Sequence, residues 1–266
     1  MFNLALLKAT AKENIRLILA IGTVMMFYMI MIIYMYDPTI TDAMKQYLDA
    51  LPAELVRAMN FDMVEPTFTG FIVGYYYGFL IILFPMVMIM ILSYRLVNRM
   101  VDRGSMAMLL STPNPRSMIA ATQALFSIVA SFVLVLIVVM TAIVSAKFFF
   151  EFELDLTRFL KVNIATFAYF VALSGITFMI SCLFVEAKHA LSLIIAVPLF
   201  FFVIQMLQKV SDQFEWLKYL TLQTLYQPND VLMGEPYILS TLVLISVGLI
   251  GYGIGIQMFK NKDLPI

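Results

Sequence analysis

Six apolar runs constrain the fold of this chain more than any other feature, because each is long enough to cross a lipid bilayer as an α-helix. An α-helix rises about 1.5 Å per residue, so about 20 apolar residues cover roughly 30 Å of hydrocarbon. Hydrophobic residues make up 62% of the 266 and charged residues 13%, whereas about a quarter of a soluble chain is charged. The pattern predicts an all-α polytopic membrane protein with six transmembrane helices, at roughly 17–36, 70–93, 118–146, 163–185, 190–207 and 237–257.

The charged residues indicate the membrane limits and the orientation of the chain. All 17 acidic and all 17 basic residues lie outside the six runs, as expected when a charge at the bilayer centre is costly. Their absence argues against a proton relay or a charged ion path in the membrane. Ten of the lysines and arginines fall in short segments on the side of the two termini, and seven fall on the other side. This bias predicts that both termini and the 94–117 loop are cytoplasmic.

The N-terminal segment 1–16 has an amphipathic pattern. Phe2 falls on one face of a helix there, and Lys8 and Lys12 fall on another. The pattern is typical of a helix that lies in the cytoplasmic interface, although a frayed basic leader would also show it. Because the next apolar run has full span length and no A-x-A site follows it, we expect no cleaved signal peptide.

Two long segments between the runs are predicted on the outer side. The pattern of 37–69 favours two short amphipathic helices, the second of which begins near Pro52. The segment 208–236 joins the fifth and sixth runs, and its Trp216 fits the aromatic belt of a membrane interface. Since no internal repeat is visible, we expect a single transmembrane domain over 1–266.

The sequence lacks the residues that intramembrane enzymes use. His189 is the only histidine and has no second histidine to share a metal, and Cys182 is the only cysteine. No carboxylate falls within a run, and no G-x-x-x-x-G-K-[ST] loop is present to bind ATP. We therefore expect a chain that is not catalytic by itself and that takes the energy for any work from elsewhere. Because the formal net charge is zero, we expect no nucleic-acid partner.

A substrate path is predicted from the adaptable side chains in the runs. The chain has 21 methionines, and methionine makes an apolar surface that adjusts to varied hydrophobic substrates. For each methionine the alternative of a lipid-facing or core position stays open, and the tyrosines at 75–77 also fit interfacial anchors. The candidate path residues are Met25, Met29, Tyr76, Met88, Gln123 and Gln205.

The loop at 94–117 interrupts the apolar pattern with a short helix of its own. In YRLVNRMVDRGSMAMLLSTPNPRS, four arginines surround an apolar helix candidate at 105–110, which Ser-Thr-Pro at 111–113 closes. A cytoplasmic loop needs little more than charge and turn residues to be stable, so this helix is predicted to meet a partner. Its large apolar side chains are Met106, Leu109 and Leu110.

This loop resembles that of the membrane subunit of ATP-binding-cassette (ABC) transporters of the type-2 exporter permease class. In that family the second span is followed by an acidic or basic turn, a glycine, a short helix ending in Leu-Leu, Ser/Thr-Pro and an arginine. The resemblance extends over the whole chain, including the six spans and the amphipathic N-terminal helix. The matching loop residues are Asp102, Arg103, Gly104, Ser105, Met106, Leu109, Leu110, Ser111, Pro113 and Arg116.

The resemblance implies a coupling helix at about 104–111 that docks into a groove of a separate ATPase subunit. The apolar side chains would anchor in the groove, while the arginines pair with acids on its rim. It also implies a second permease subunit, identical or paralogous, and two copies of the ATPase, which binds ATP and Mg. The substrate path would run along the interface of the two permeases, lined by the first, second and fifth spans.

The function implied by the resemblance is export of a hydrophobic or amphipathic substrate, such as a peptide, an antibiotic or a lipid-like compound. The expected location is the plasma membrane of a bacterium, where the lipid bilayer is a further partner. The alternative function is that of a non-transporting sensor or scaffold that binds an ATPase.

Overall fold

The computed structural model describes residues 2–37, 50–58, 65, 67–102, 115–149, 153–184, 186–210 and 212–261. All regular secondary structure within these residues is helical, and six helices are long and apolar enough to cross a membrane. The predicted all-α polytopic membrane fold is therefore confirmed.

The six membrane-spanning helices coincide with the six apolar runs and extend past most of their ends. Numbered in chain order, spans 1 to 6 are Leu4–Met35, Phe68–Asp102, Arg116–Phe148, Leu156–Leu183, Ala187–Val210 and Ile238–Asn261. The short elements between them are the α-helices Ala53–Ala58 and Pro228–Met233 and the 3₁₀-helices Asp212–Leu220 and Leu222–Leu225. The second helix predicted in 37–69 corresponds to Ala53–Ala58, and the first lies outside the described residues.

Span 1 differs from the prediction because no break separates the N-terminal segment from the membrane helix. A single α-helix runs over Leu4–Met35, and the Asn3 side chain caps it by accepting a hydrogen bond from the Leu6 backbone N–H at 3.0 Å. Its buried residues recur every three or four positions from Leu6 onward. That spacing keeps one face of a continuous helix against the bundle, so residues 4–16 form the first turns of span 1.

Span 4 is the central helix of the bundle, and it contacts spans 2, 3, 5 and 6. Its closest partner is span 6, where glycines bring the two backbones together. A Cβ added at Gly251 would lie 2.8 Å from the carbonyl carbon of Gly175, and one added at Gly248 would meet the carbonyl of Val171. Small residues let membrane helices approach this closely and gain packing energy that the bilayer itself does not supply.

We predict that Gly248→Ala destabilises the protein, because its new methyl group would overlap the backbone of span 4. Overpacking of this kind costs about 1–3 kcal/mol. Gly253→Ala is the matched control in the same helix, since a Cβ there meets no atom within 4 Å and alanine favours helix. Thermal unfolding in detergent should show a lower midpoint for Gly248→Ala and an unchanged or higher one for Gly253→Ala. Equal midpoints would contradict the packing argument.

Candidate functional site

The predicted coupling segment lies mostly outside the described residues, so its structure is not assigned and its binding function stays a prediction. Two of its residues are described, Asp102 at the end of span 2 and Arg116 at the start of span 3. The residues outside the described part are Arg103, Gly104, Ser105, Met106, Leu109, Leu110, Ser111 and Pro113.

The two flanks of this segment have defined geometry. Span 2 ends in the short helix Asn98–Asp102, where the Tyr94 hydroxyl donates a hydrogen bond to Asp102 Oδ2 at 3.1 Å. The buried Asn98 amide donates to the Ser181 carbonyl of span 4 at 3.1 Å. On the other side, Pro115 in an extended conformation precedes the first turn of span 3. The span 2 flank is therefore held to span 4 before the chain enters the segment.

The N-terminal part of span 1 is hydrogen-bonded to the flank in span 3, and through it to the flank in span 2. The Asn3 backbone N–H donates to Thr122 Oγ1 at 3.0 Å, and the Thr10 hydroxyl donates to Gln123 Oε1 at 3.3 Å. The Gln123 amide in turn donates to the sulfur of Met100 at 3.6 Å. We call Asn3, Thr10, Met100, Thr122 and Gln123 the flank network. Through it, span 1 is joined to the last turns of span 2 and the first turns of span 3.

An uncharged polar seam joins spans 2 and 4 in the interior. Ser93 Oγ and Thr177 Oγ1 are hydrogen-bonded at 2.8 Å, and Ser181 Oγ donates to the Ser93 carbonyl at 2.9 Å. All three residues are buried. Because hydrocarbon offers no hydrogen-bond partners, polar groups at this depth must be satisfied inside the protein.

Span 2 contains a π-helix, Val73–Leu80, between the α-helical segments Phe68–Ile72 and Ile81–Leu96. π-Helices are rare, and where they occur they are often near functional sites. Two consecutive tyrosines in this segment bond to different helices. The Tyr76 hydroxyl donates to the Met25 carbonyl of span 1 at 3.1 Å, and the Tyr77 hydroxyl donates to Asn163 Oδ1 of span 4 at 2.8 Å.

These tyrosines belong to a buried cluster, the tyrosine cluster, made of Tyr76, Tyr77, Tyr169 and Tyr226. The rings of Tyr169 and Tyr226 stack with centroids 5.2 Å apart, and Tyr226 also hydrogen-bonds Thr166 at 3.0 Å. The Gln223 amide donates to the Tyr169 hydroxyl at 3.0 Å. The interfacial interpretation is therefore wrong for Tyr76 and Tyr77, because both side chains are fully buried and hydrogen-bonded to spans 1 and 4.

The sequence comparison identifies the family. A family model described as ABC-2 family transporter protein matches residues 4–264, nearly the whole chain. The chain belongs to the ABC-2 family of transporter proteins. No curated protein sequence matched the chain.

This membership confirms the resemblance seen in the sequence. The protein is a multi-pass membrane protein and the permease component of an ABC transporter. As an ABC-2 permease it is a transporter subunit and not itself a catalyst. Among the described residues, no group of three or more His, Cys, Asp or Glu side chains is placed to hold a metal ion.

The candidate path residues of the permease lie inside the subunit. Met25, Met29, Tyr76 and Met88 are in the apolar core, and the Tyr76 hydroxyl bonds the Met25 backbone directly. Gln123 is 1% exposed and belongs to the flank network. Gln205 is buried in span 5. The path assignment of all six stays a prediction, and sequence reasoning missed the flank network because a lone glutamine carries no signal of its partner.

An open pocket of about 390 Å³ lies beside Pro228–Met233, next to the ends of spans 4 and 6. It is lined by Asp230, Glu235 and Tyr237 among others. Partial burial raises the pKa of Asp230, Lys209 lowers it and Glu235 raises it further. Burial also raises the pKa of the Tyr226 phenol, so that hydroxyl stays protonated and keeps its hydrogen bond to Thr166.

We predict that Tyr77→Phe destabilises the permease, since it leaves the buried Oδ1 of Asn163 without the tyrosine donor. An unsatisfied buried polar atom costs about 1–3 kcal/mol. Tyr219→Phe is the control, because Tyr219 is 81% exposed and surface substitutions change stability by about 0.5 kcal/mol or less. Thermal unfolding in detergent should give a lower midpoint for Tyr77→Phe and a midpoint close to that of the wild type for Tyr219→Phe. A Tyr77→Phe midpoint equal to that of the wild type would show that the hydrogen bond to Asn163 contributes nothing to stability.

Proposed function

We propose that this ABC-2 permease exports a hydrophobic or amphipathic substrate from the cytoplasm, driven by a separate ATPase that binds ATP and Mg. The substrate is a peptide, an antibiotic or a lipid-like compound. The chemistry of the interior supports this class, because the buried polar side chains in the described part of the chain are Ser, Thr, Asn, Gln and Tyr, and none is charged. An interior with hydroxyl and amide groups but without buried charge suits an amphipathic solute better than an ion.

In this proposal, the energy of ATP hydrolysis enters through the coupling helix at about 104–111. Met106, Leu109 and Leu110 anchor in a groove of the ATPase, and Arg103 and Arg116 pair with acids on its rim. The flank network supports this assignment, since it joins both ends of the segment to span 1. A displacement of the segment would then act on spans 1, 2 and 3 together.

The proposed assembly has two permease subunits, identical or paralogous, and two ATPase subunits in a bacterial plasma membrane. Both permease termini lie in the cytoplasm, consistent with the excess of lysine and arginine on that side. The decisive experiment reconstitutes the permease with its ATPase and measures ATP-driven movement of a fluorescent amphipathic compound across the vesicle membrane. A complex that hydrolyses ATP but moves neither this compound nor hydrophobic peptides would instead be a sensor or scaffold.

We predict that Leu109→Asp or Leu110→Asp abolishes capture of the ATPase while the permease still inserts and folds. The reason is that a carboxylate cannot fill an apolar groove without a large desolvation cost. Co-purification of the ATPase on tagged permease measures the effect. Leu55→Asp is the control, since Leu55 is an exposed leucine in the predicted outer helix Ala53–Ala58. Retained capture in both leucine variants would remove the coupling assignment.

We predict that Thr10→Val uncouples transport from ATP hydrolysis, because it removes the hydrogen bond from span 1 to Gln123 while preserving side-chain volume. Thr10→Ser keeps the hydroxyl and should restore coupling. The measurement is the number of substrate molecules moved per ATP hydrolysed at equal expression and equal melting temperature. Gln123→Met should act like Thr10→Val, while Ser131→Ala should be neutral, since the Ser131 hydroxyl donates to the Ser127 carbonyl of its own helix. An unchanged ratio in Thr10→Val and Gln123→Met would contradict the proposal.

A further inference from the structure

The first turns of span 1 carry an exposed row of basic side chains that the transport proposal does not use. Lys8, Lys12 and Arg16 are spaced four residues apart and are all exposed. Side chains at this spacing lie on neighbouring turns of one face, and the row covers about 12 Å along the axis. The buried stripe through Leu6 and Asn14 faces elsewhere.

The row of Lys8, Lys12 and Arg16 forms no ion pair with an acid within the described part of the chain. Glu13 is exposed on the same helix, about 100° around the axis from Lys12 and about 60° from Arg16, so it borders the row at its Arg16 end. The face therefore presents three positive charges with one acid at its edge.

The row lies at the level of the bilayer edge when the apolar stretch of span 1 is placed in the hydrocarbon. The apolar stretch of span 1 runs from Leu17 to Met35, which is about 28 Å long and close to the hydrocarbon thickness. Arg16 directly precedes it, and the headgroup layer is about 5–7 Å deep on each side. Arg16 and Lys12 therefore lie at headgroup depth, and the long Lys8 side chain can reach back toward it.

The same face continues into the membrane as an exposed apolar surface. Ile15 lies three residues after Lys12, and Leu19 lies three residues after Arg16. Met26 and Ile30 follow on the same face, and all four side chains are exposed. The face is basic for its first turns and apolar for the rest. This order matches one lipid leaflet, in which a polar headgroup layer is followed by hydrocarbon. This continuity favours lipid over a soluble protein as the occupant.

We propose that Lys8, Lys12 and Arg16 form a binding surface for anionic phospholipid headgroups of the leaflet at the N-terminal end of span 1. Basic residues near an anionic surface attract it with about 1 kcal/mol each, and salt weakens the attraction. Because span 1 is joined to the flank network through Asn3 and Thr10, bound lipid would also fix the helix that carries that network.

The test measures lipid retention by the purified full-length permease. Native mass spectrometry counts phosphatidylglycerol and phosphatidylcholine bound from an equimolar mixture, in low and in high salt. The variant is Lys8→Gln with Lys12→Gln, which leaves Arg16 in place. The control is Lys188→Gln with Lys260→Gln, which removes the same charge from two exposed lysines predicted on the same membrane side.

Wild type should prefer phosphatidylglycerol, and the Lys8/Lys12 variant should bind it on the order of tenfold more weakly. The Lys188/Lys260 control should stay within about twofold of wild type, because lipid recognition depends on clustered basic residues and these two lysines lie on different spans, outside the row. Lys8→Arg with Lys12→Arg should restore binding, which separates lost charge from misfolding. Equal retention of the two lipids by wild type, or an equal loss in variant and control, would overturn the proposal. If the Lys8/Lys12 variant bound lipid as the wild type does but captured less ATPase, the row would be assigned to the protein partner instead.

Discussion

Span 4 carries polar side chains along its whole length, and each of them must find a hydrogen-bond partner inside the protein because hydrocarbon offers none. Ser174, Thr177 and Ser181 bond carbonyls of their own helix and also reach spans 2 or 6. The glycine contacts with span 6 bring that helix close enough to share these bonds. The rest of the bundle is arranged around this central helix, and moving span 2 or span 6 would break a buried hydrogen bond or a close packing contact.

The two ends of the bundle differ in how they are held. At the end near the coupling segment, the flank network relies on single hydrogen bonds between spans 1, 2 and 3, one of them to a sulfur acceptor. At the other end, the tyrosine cluster joins the π-helix, spans 1 and 4 and the segment before Pro228–Met233 through stacking and several hydrogen bonds. The weaker connections are thus beside the segment that we propose to move.

Sequence reasoning predicted the six spans because a 20-residue apolar run has few alternatives to a membrane helix. It separated residues 1–16 from span 1, since Lys8, Lys12 and Arg16 look the same on a surface helix as on the protruding turns of a long one. It kept Tyr76 as a candidate path residue but favoured interfacial anchors for Tyr76 and Tyr77, because aromatic residues near a span end usually lie there. A π-helix has no clear pattern in sequence, so the burial of these tyrosines could not be foreseen.

The sequence by itself determined that the chain spans the membrane six times, that no charged residue falls within its six apolar runs, and that it resembles the family confirmed by the comparison. These properties follow from local composition and motif, which are independent of how the helices pack. Only the tertiary structure decided which polar residues meet, such as Thr10 with Gln123 and Tyr77 with Asn163. Such pairs depend on the rotation and depth of helices far apart in the chain, and close packing fixes both.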